Sequence, residues 1–491
     1  KRIVAIRSKD LTRTHRERLV ESGFLQEVMK GWYTPSSPGD RPGDSTSWYT
    51  SFWNFCAAYL EERFGSNWCL YPEQSIKLHI GDMTVPNQLL VKSTKGRNKP
   101  TELLHETSVF DTRLELPGED DLEVIEGIRV QTLSSSLVYC SPNFFRDNSV
   151  QARAALSMIA DASEVLTHLL GEGKSTVAGR LAGAFRNIGR DKIAEQILKA
   201  MRAAKYTVRE VDPFESELAI AFGQRELSPY VNRIRLMWES MREAVMDNFP
   251  EHSQKVDEVD VYLKQVDDIY ATDAYHSLSI EGYRVTLELI ERVSSGAWNQ
   301  DGNVEDAEYK NALAARGYWE AFQEVKQAVR AVLEGSNSGD VIGATHGDWY
   351  LGLFGPCAEV GLLATADLAG YRNGPVYIRR SMHVPPSREA VRDMMPTLFE
   401  LIREEENAAV RVVLGHFIFV YIHPYMDGNG RMGRFLMNVT LASGGYPWAV
   451  VPVERRSEYM AALEDASVRQ NIVPFASFLG SLMNGADVKN Y

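Results

Sequence analysis

His423-Pro424-Tyr425-Met426-Asp427-Gly428-Asn429-Gly430-Arg431-Met432-Gly433-Arg434 packs a proton acceptor, a hard-oxygen ligand, a glycine loop and two arginines into one turn. The run before it, 410–422, is apolar at nearly every position and predicts a buried helix that stops near Pro424, since proline cannot continue the ladder. Asp427-Gly428-Asn429-Gly430 is a turn composition that tolerates positive φ and gathers backbone N–H groups into one concavity. Helical periodicity resumes from Arg431 to Val439. The glycine loop is therefore expected at a helix N-terminus, where free N–H groups and the helix dipole favour phosphate.

Each side chain has a chemical use there. His423 titrates near neutral pH and can take a proton from an attacking Ser, Thr or Tyr hydroxyl. Asp427 offers one hard oxygen, which suits a Mg²⁺ otherwise held by phosphates and water. Arg431 and Arg434, three apart on a helix, share a face and can neutralise a polyphosphate. A nucleotide polyphosphate is the substrate that calls on all of these together.

This motif resembles the signature of the Fic (filamentation induced by cAMP) family, with Tyr425 where Phe is usual. The resemblance implies AMP transfer from ATP to a hydroxyl of a target protein. His423 would be the catalytic base and Asp427 the Mg²⁺ ligand. Gly428, Asn429, Gly430, Arg431 and Arg434 would bind the nucleotide, with Arg434 reaching the γ-phosphate. Gly430 stands where the related Doc kinases carry Lys, which implies AMP rather than phosphoryl transfer. Upstream, Gly370-Tyr371-Arg372 and Val376-Tyr377-Ile378 resemble the family's β-hairpin flap, which docks the target segment by strand addition. Downstream, Arg455 and Tyr459 resemble the closing helix, where Tyr459 either lines the adenine pocket or belongs to the core.

Ser277-Leu278-Ser279-Ile280-Glu281-Gly282 matches the family's inhibitory pattern, with Ser277 and Glu281 on one face of a helix. The resemblance implies that Glu281 pairs with Arg434 and withholds it from ATP. In some relatives the same glutamate orients a water that removes AMP from the target, so deAMPylation stays open beside transfer.

The 491 residues are 44% hydrophobic, enough for at least two cores. No apolar run is long enough to span a bilayer, no signal peptide is read, and the four cysteines lack zinc spacing, which together point to a reducing, cytoplasmic setting without membrane attachment. A net charge of −13 disfavours general nucleic-acid binding by the whole chain. The first 31 residues differ, with eight basic residues against four acidic. Their helix from Thr12 to Glu21, glycine stop and small strand resemble the winged helix of AbiE-type antitoxins, which would bring DNA in as a second partner. A Ser/Pro/Gly linker is expected from Thr34 to Ser47, and strands at 71–80 and 86–91. Gly171-Glu172-Gly173-Lys174-Ser175-Thr176 is read as a helix–helix loop, not a P-loop, because His168 replaces the first glycine.

The expected architecture is mainly α: a Fic-type helical bundle with a β-hairpin flap, preceded by a winged helix and an α/β region. The expected segments are 1–45, winged-helix-like; 46–212, α/β; and 213–491, catalytic, with the boundary near Asp212-Pro213. The competing functions are a DNA-binding, antitoxin-like regulator with a silent core, and a transferase using another nucleotide donor. The resemblance also leaves room for a homodimer.

Overall fold

The computed structural model describes residues 4–36, 38, 45–214, 228–251, 258–297, 306–368 and 370–483. Half of the linker expected from Thr34 to Ser47 falls outside them. Two compact units result: residues 1–239 with 377–386, and residues 240–376 with 387–491. The division lies well after Asp212-Pro213.

In the first unit, β1 (Ile6–Arg7), α1 (Arg13–Glu21), β2 (Leu25–Met29) and β3 (Trp32–Pro35) come first, with an antiparallel sheet in the order β1-β3-β2. Thr12 caps α1 by accepting the His15 N–H. Several arginines of this basic segment are used inside the unit. Arg7 pairs with Glu62, Arg13 with Glu17, and Arg16 donates to the Ser8 carbonyl while lying over the Tyr33 ring.

α2 (Thr46–Phe64) carries Trp48, Phe52, Phe55 and Tyr59 at helical spacing, and this stripe is buried. It helps form a core with Leu89, Val91 and Val109 of the next sheet. That sheet contains β4 (Cys69–Leu70), β5 (Gln88–Ser93), β6 (Lys99–Glu102) and β7 (Ser108–Arg113), in the order β4-β5-β7-β6 with β5 and β7 parallel. A hairpin, β8 (Leu122–Ile125) with β9 (Ile128–Gln131), and a run of short helices from Leu133 to Ala203 complete the described part. The strand expected at 71–80 is instead α3 (Pro72–His79). Pro72 presets φ at the first helical position, and Ile76 is buried one turn later. Of the glycine run at 171–176, Glu172, Gly173 and Lys174 lie between two helices, whose ends take the other residues.

α4 (Pro229–Asn248) carries the division between the units. The second unit continues with α5 (Val259–Ile280), α6 (Leu287–Ser294), α7 (Asp306–Leu333), α8 (Ser338–Glu359), α9 (Arg388–Glu404), α10 (Ala408–Ile422), α11 (Asn429–Ser443), α12 (Arg456–Arg469) and α13 (Val473–Met483). Long α7 and α8 pack on each other and on α11, which lies beside α10. α10 is buried at almost every position, as its uninterrupted apolar sequence requires.

The expected β-hairpin at the flap is not formed: Val376, Tyr377 and Ile378 belong to no strand. The segment that follows, 377–386, belongs to the first unit. There Val85 N–H donates to the Met382 carbonyl at 2.9 Å, and Met382 and Val384 rest on the core. Backbone groups spent on those contacts are unavailable for a hairpin ladder. Among the described residues, no helix is long and apolar enough to cross a membrane.

Candidate active site

α10 ends at His423, which caps it in the left-handed region with φ 53° and ψ 60°. Such a conformation costs a non-glycine residue on the order of 1–3 kcal/mol, so the surroundings must hold it. His423 N–H still donates to the Phe419 carbonyl at 3.0 Å, closing the last turn. The side chain meets the Val420 carbonyl through Nδ1 at 3.2 Å. Nδ1 must carry the proton to make that bond, which leaves the Nε2 lone pair as acceptor. Burial pushes the imidazole pKa down to about 4, with Arg372 acting in the same direction. At pH 7 His423 is therefore a neutral base.

The turn from Tyr425 to Gly428 is stitched by Asn429. Its Oδ1 accepts the Tyr425 N–H and its Nδ2 donates to the Tyr425 carbonyl, both at 2.9 Å. The side chain expected at a phosphate thus shapes the loop, and Asn429 is only 2% exposed. Asp427 is outside this lattice, its carboxylate 70% exposed and 3.8 Å from Arg431. α11 then starts at Asn429, after Gly428 in the left-handed region. The N–H groups of its first turn have no carbonyl within the helix to bond to.

The two arginines are buried, one by rings and one by a carboxylate. Arg431 lies between Tyr283 and Phe354, 5.4 and 4.9 Å from their ring centres. Arg434 Nη2 meets Glu281 Oε1 at 2.8 Å and the Ser277 carbonyl at 3.0 Å, while its Nε donates to Ser277 Oγ at 2.9 Å. Burial opposes the charge of both partners, yet each holds the other ionised: Arg434 is raised and Glu281 lowered. A Cβ at Gly430 would stand 2.4 Å from Glu281 Oε1, so this pairing requires glycine there. Arg431 Nε and Arg434 Nη1 are buried without a hydrogen-bond partner among the described residues. Buried guanidinium donors with nothing to bond match an incoming polyphosphate.

Residues 352–441, which span the end of α8, all of α10 and most of α11, match the model of the Fic/DOC family. This part of the chain is a Fic domain. Similar proteins include the "Protein adenylyltransferase Fic" of Drosophila willistoni, 29% identical over 219 residues, covering 43% of this chain and 39% of that protein. The Drosophila virilis protein of the same name is 34% identical over 113 residues, covering 22% and 23%. The chain thus spans about two-fifths or less of the relatives it matches. Among solved structures, "Fic-1 (aa134 - 508) from C. elegans" is similar at 17% identity, with a TM-score of 0.37 and coverage of 72% of this chain and 88% of that one. A Fic domain containing signalling protein from Bacteroides thetaiotaomicron is also 17% identical, with a TM-score of 0.36 and coverage of 52% and 92%.

Beyond the residues that match the Fic/DOC model, Tyr459 of α12 is a core residue. It is 2% exposed, and its hydroxyl meets His416 Nε2 at 2.8 Å. Phe475 and Phe478 pack against its ring, so its wall toward Arg434 is structural support. Arg455 is tied to Glu458 and Ser481.

Sequence reading passed over Arg372 as a site residue. This buried side chain donates through Nε to the His423 carbonyl at 2.8 Å and through Nη1 to the Gly374 carbonyl at 3.2 Å, while its backbone N–H donates to the Pro424 carbonyl at 2.9 Å. A cation facing the last carbonyls of α10 complements the helix dipole and fixes the strained His423 turn. Only the tertiary fold brings it there, 51 residues before His423 in sequence. Arg372→Ala is expected to cost about 1.5–3 kcal/mol, the scale of charge-assisted hydrogen bonds. A denaturant titration of both proteins checks this.

Proposed function

We propose that this protein transfers AMP from ATP to a hydroxyl of a protein, and that the Glu281–Arg434 pair restrains it. The observation that carries the reading is the convergence of a neutral His423 with two buried arginines that have spare donors, at a helix N-terminus. The names of the similar Drosophila proteins support the donor chemistry.

In the reaction, His423 Nε2 takes the proton as the hydroxyl oxygen bonds to the α-phosphorus. The bond from that phosphorus to the bridging oxygen breaks, and pyrophosphate leaves with the electron pair. In-line displacement of this kind asks the protein mainly for position and charge. Arg431 and the first turn of α11 hold the phosphates. Arg434 would meet the γ-phosphate once released from Glu281.

Asp427, with its exposed carboxylate, suits a Mg²⁺ that arrives with the nucleotide. No group of three or more His, Cys, Asp or Glu able to hold a metal occurs among the described residues. Bound there, Mg²⁺ would supply charge neutralisation to the leaving pyrophosphate. Val376, Tyr377 and Ile378 would offer extended backbone to the target segment. Buried free thiols at Cys56, Cys69 and Cys140 support a reducing, cytoplasmic setting.

A second reading, hydrolysis of AMP from the modified target, is favoured by the charge of Glu281, which acts on His423 as well as on Arg434. Donor identity is tested by competing labelled ATP transfer with unlabelled GTP, UTP and CDP-choline. Equal competition by any of them would overturn ATP as the preferred donor.

The pH profile has a definite sign. A base must be unprotonated, and His423 loses that state only as pH falls toward about 4. Transfer is therefore expected to persist through pH 6 and fall off below pH 5. A midpoint near the ordinary histidine value of about 6.5 would show that burial does not depress the His423 imidazole during turnover.

A further inference from the structure

Glu281 is the C-cap of α5. A carboxylate is disfavoured there, because the helix dipole puts its negative end at the C-terminus. The last four carbonyls of a helix also need partners from outside its ladder. In α5 the following backbone supplies two of them: Gly282 N–H donates to the Ser279 carbonyl at 3.0 Å and Tyr283 N–H to the Leu278 carbonyl at 3.1 Å. Arginines supply the other two. Arg434 Nη2 meets the Ser277 carbonyl at 3.0 Å, and Arg456 Nε meets the Ile280 carbonyl at 2.7 Å. Two cations thus face the end of the helix at which Glu281 stands.

Arg456 is the first residue of α12. A helix start disfavours a cation, so its own helix does not account for an arginine there, whereas the end of α5 does. The turn before α12 makes a second attachment. The Val453 backbone N–H donates to His276 Nδ1 at 3.1 Å, and His276 is only 4% exposed. His276 and Ile280 are four apart and share one face of α5. Ser277 and Glu281 lie one position further round, on the face that meets Arg434. The last turn of α5 is therefore gripped on two sides, by α11 through Arg434 and by the start of α12 through Arg456.

We propose that Arg456 is a positioning residue for Glu281: from the start of α12 it fixes the last turn of α5, and with it the carboxylate that holds Arg434. This rests on the reading above, that the Glu281–Arg434 pair withholds Arg434 from the γ-phosphate. Arg456 thus belongs to the restraint, although it lies 175 residues from Glu281 and outside both motifs.

The test uses Arg456→Ala and Arg456→Lys, each in the full chain with Glu281 present and in a Glu281→Gly background. Arg456 is exposed, so neither change opens a cavity, and thermal unfolding confirms that each variant is folded. The first readout is self-labelling from α-labelled ATP, and the second is the ratio of ADP to ATP dissociation constants. Arg456→Ala is expected to raise labelling about twofold to tenfold, the scale of one hydrogen bond, and to favour ATP over ADP. In the Glu281→Gly background it should add nothing. Arg456→Lys keeps a cationic donor and should stay nearer the parent.

Arg456→Ala matching the parent while Glu281→Gly is active would overturn the proposal. So would an equal gain in both backgrounds, or a gain in Arg456→Lys as large as in Arg456→Ala. Loss of labelling by Arg456→Ala in the Glu281→Gly background would overturn it too, by placing Arg456 on the nucleotide. Absence of label even in Glu281→Gly would overturn AMP transfer instead. The ADP-to-ATP ratio then decides the role of Arg456: a rise in Arg456→Ala supports it, and an unchanged ratio overturns it.

Discussion

Glu281→Gly is expected to raise self-modification from ATP by about 10- to 100-fold. Arg434 is nearly fully buried, whereas the Glu281 side chain is 30% exposed, so the pair is only partly desolvated. A charge-assisted hydrogen bond in such a setting is worth about 1.5–3 kcal/mol, less than breaking a fully buried pair. At about 1.4 kcal/mol per tenfold, that energy gives the stated range. Glycine removes the carboxylate but leaves Ser277 Oγ and the Ser277 carbonyl in place, so part of the seat persists. The gain should show at saturating ATP, because the lock acts on the pose of the bound nucleotide. Transfer assays with Mg²⁺ over a range of ATP concentrations check this; an unchanged rate at saturation would sink the lock.

His423→Ala in the Glu281→Gly background is expected to lose about 10²- to 10⁴-fold in rate, the range for a general base. ATP binding should survive, because the anion site is built from α11 and two arginines rather than the imidazole. The substitution also removes a side chain held in a left-handed turn. The Arg372 donor to the residue-423 carbonyl does not depend on that side chain, so the turn should stay formed. Loss of transfer with nucleotide affinity intact is the expected pair of results from labelling and calorimetry. Parallel loss of both would mean that the turn, not the base, had been removed.

The site was legible where its information is local. His423, Asp427 and the two arginines lie within twelve residues, and Ser277 with Glu281 within five, so the roles proposed for them come from local motifs and the family resemblance those motifs carry. Arg372 acts across the fold, and no spacing reveals it. Local composition also misled. α8 gives little helical signal in the sequence, because five glycines and Pro356 lower its helical propensity. A Cβ at Gly352 would stand 2.7 Å from the Ala321 backbone nitrogen, so close packing on α7 outweighs propensity there. Lys77-Leu78-His79-Ile80 mimicked strand alternation, yet Pro72 had already set a helix start. The flap failed for a similar reason: strand-like Val376-Tyr377-Ile378 has the composition of a ladder but no ladder partner.

The most direct test of an AMP transferase restrained by its own glutamate uses ATP labelled at either the α- or the γ-phosphate. Each is incubated with Mg²⁺ and the wild type, Glu281→Gly, or Glu281→Gly/His423→Ala, and protein-bound label is counted. The account predicts strong α-label on Glu281→Gly, little on wild type, little on the double variant, and no γ-label on any. Label from the γ-position, or equal α-label on wild type and Glu281→Gly, would contradict it.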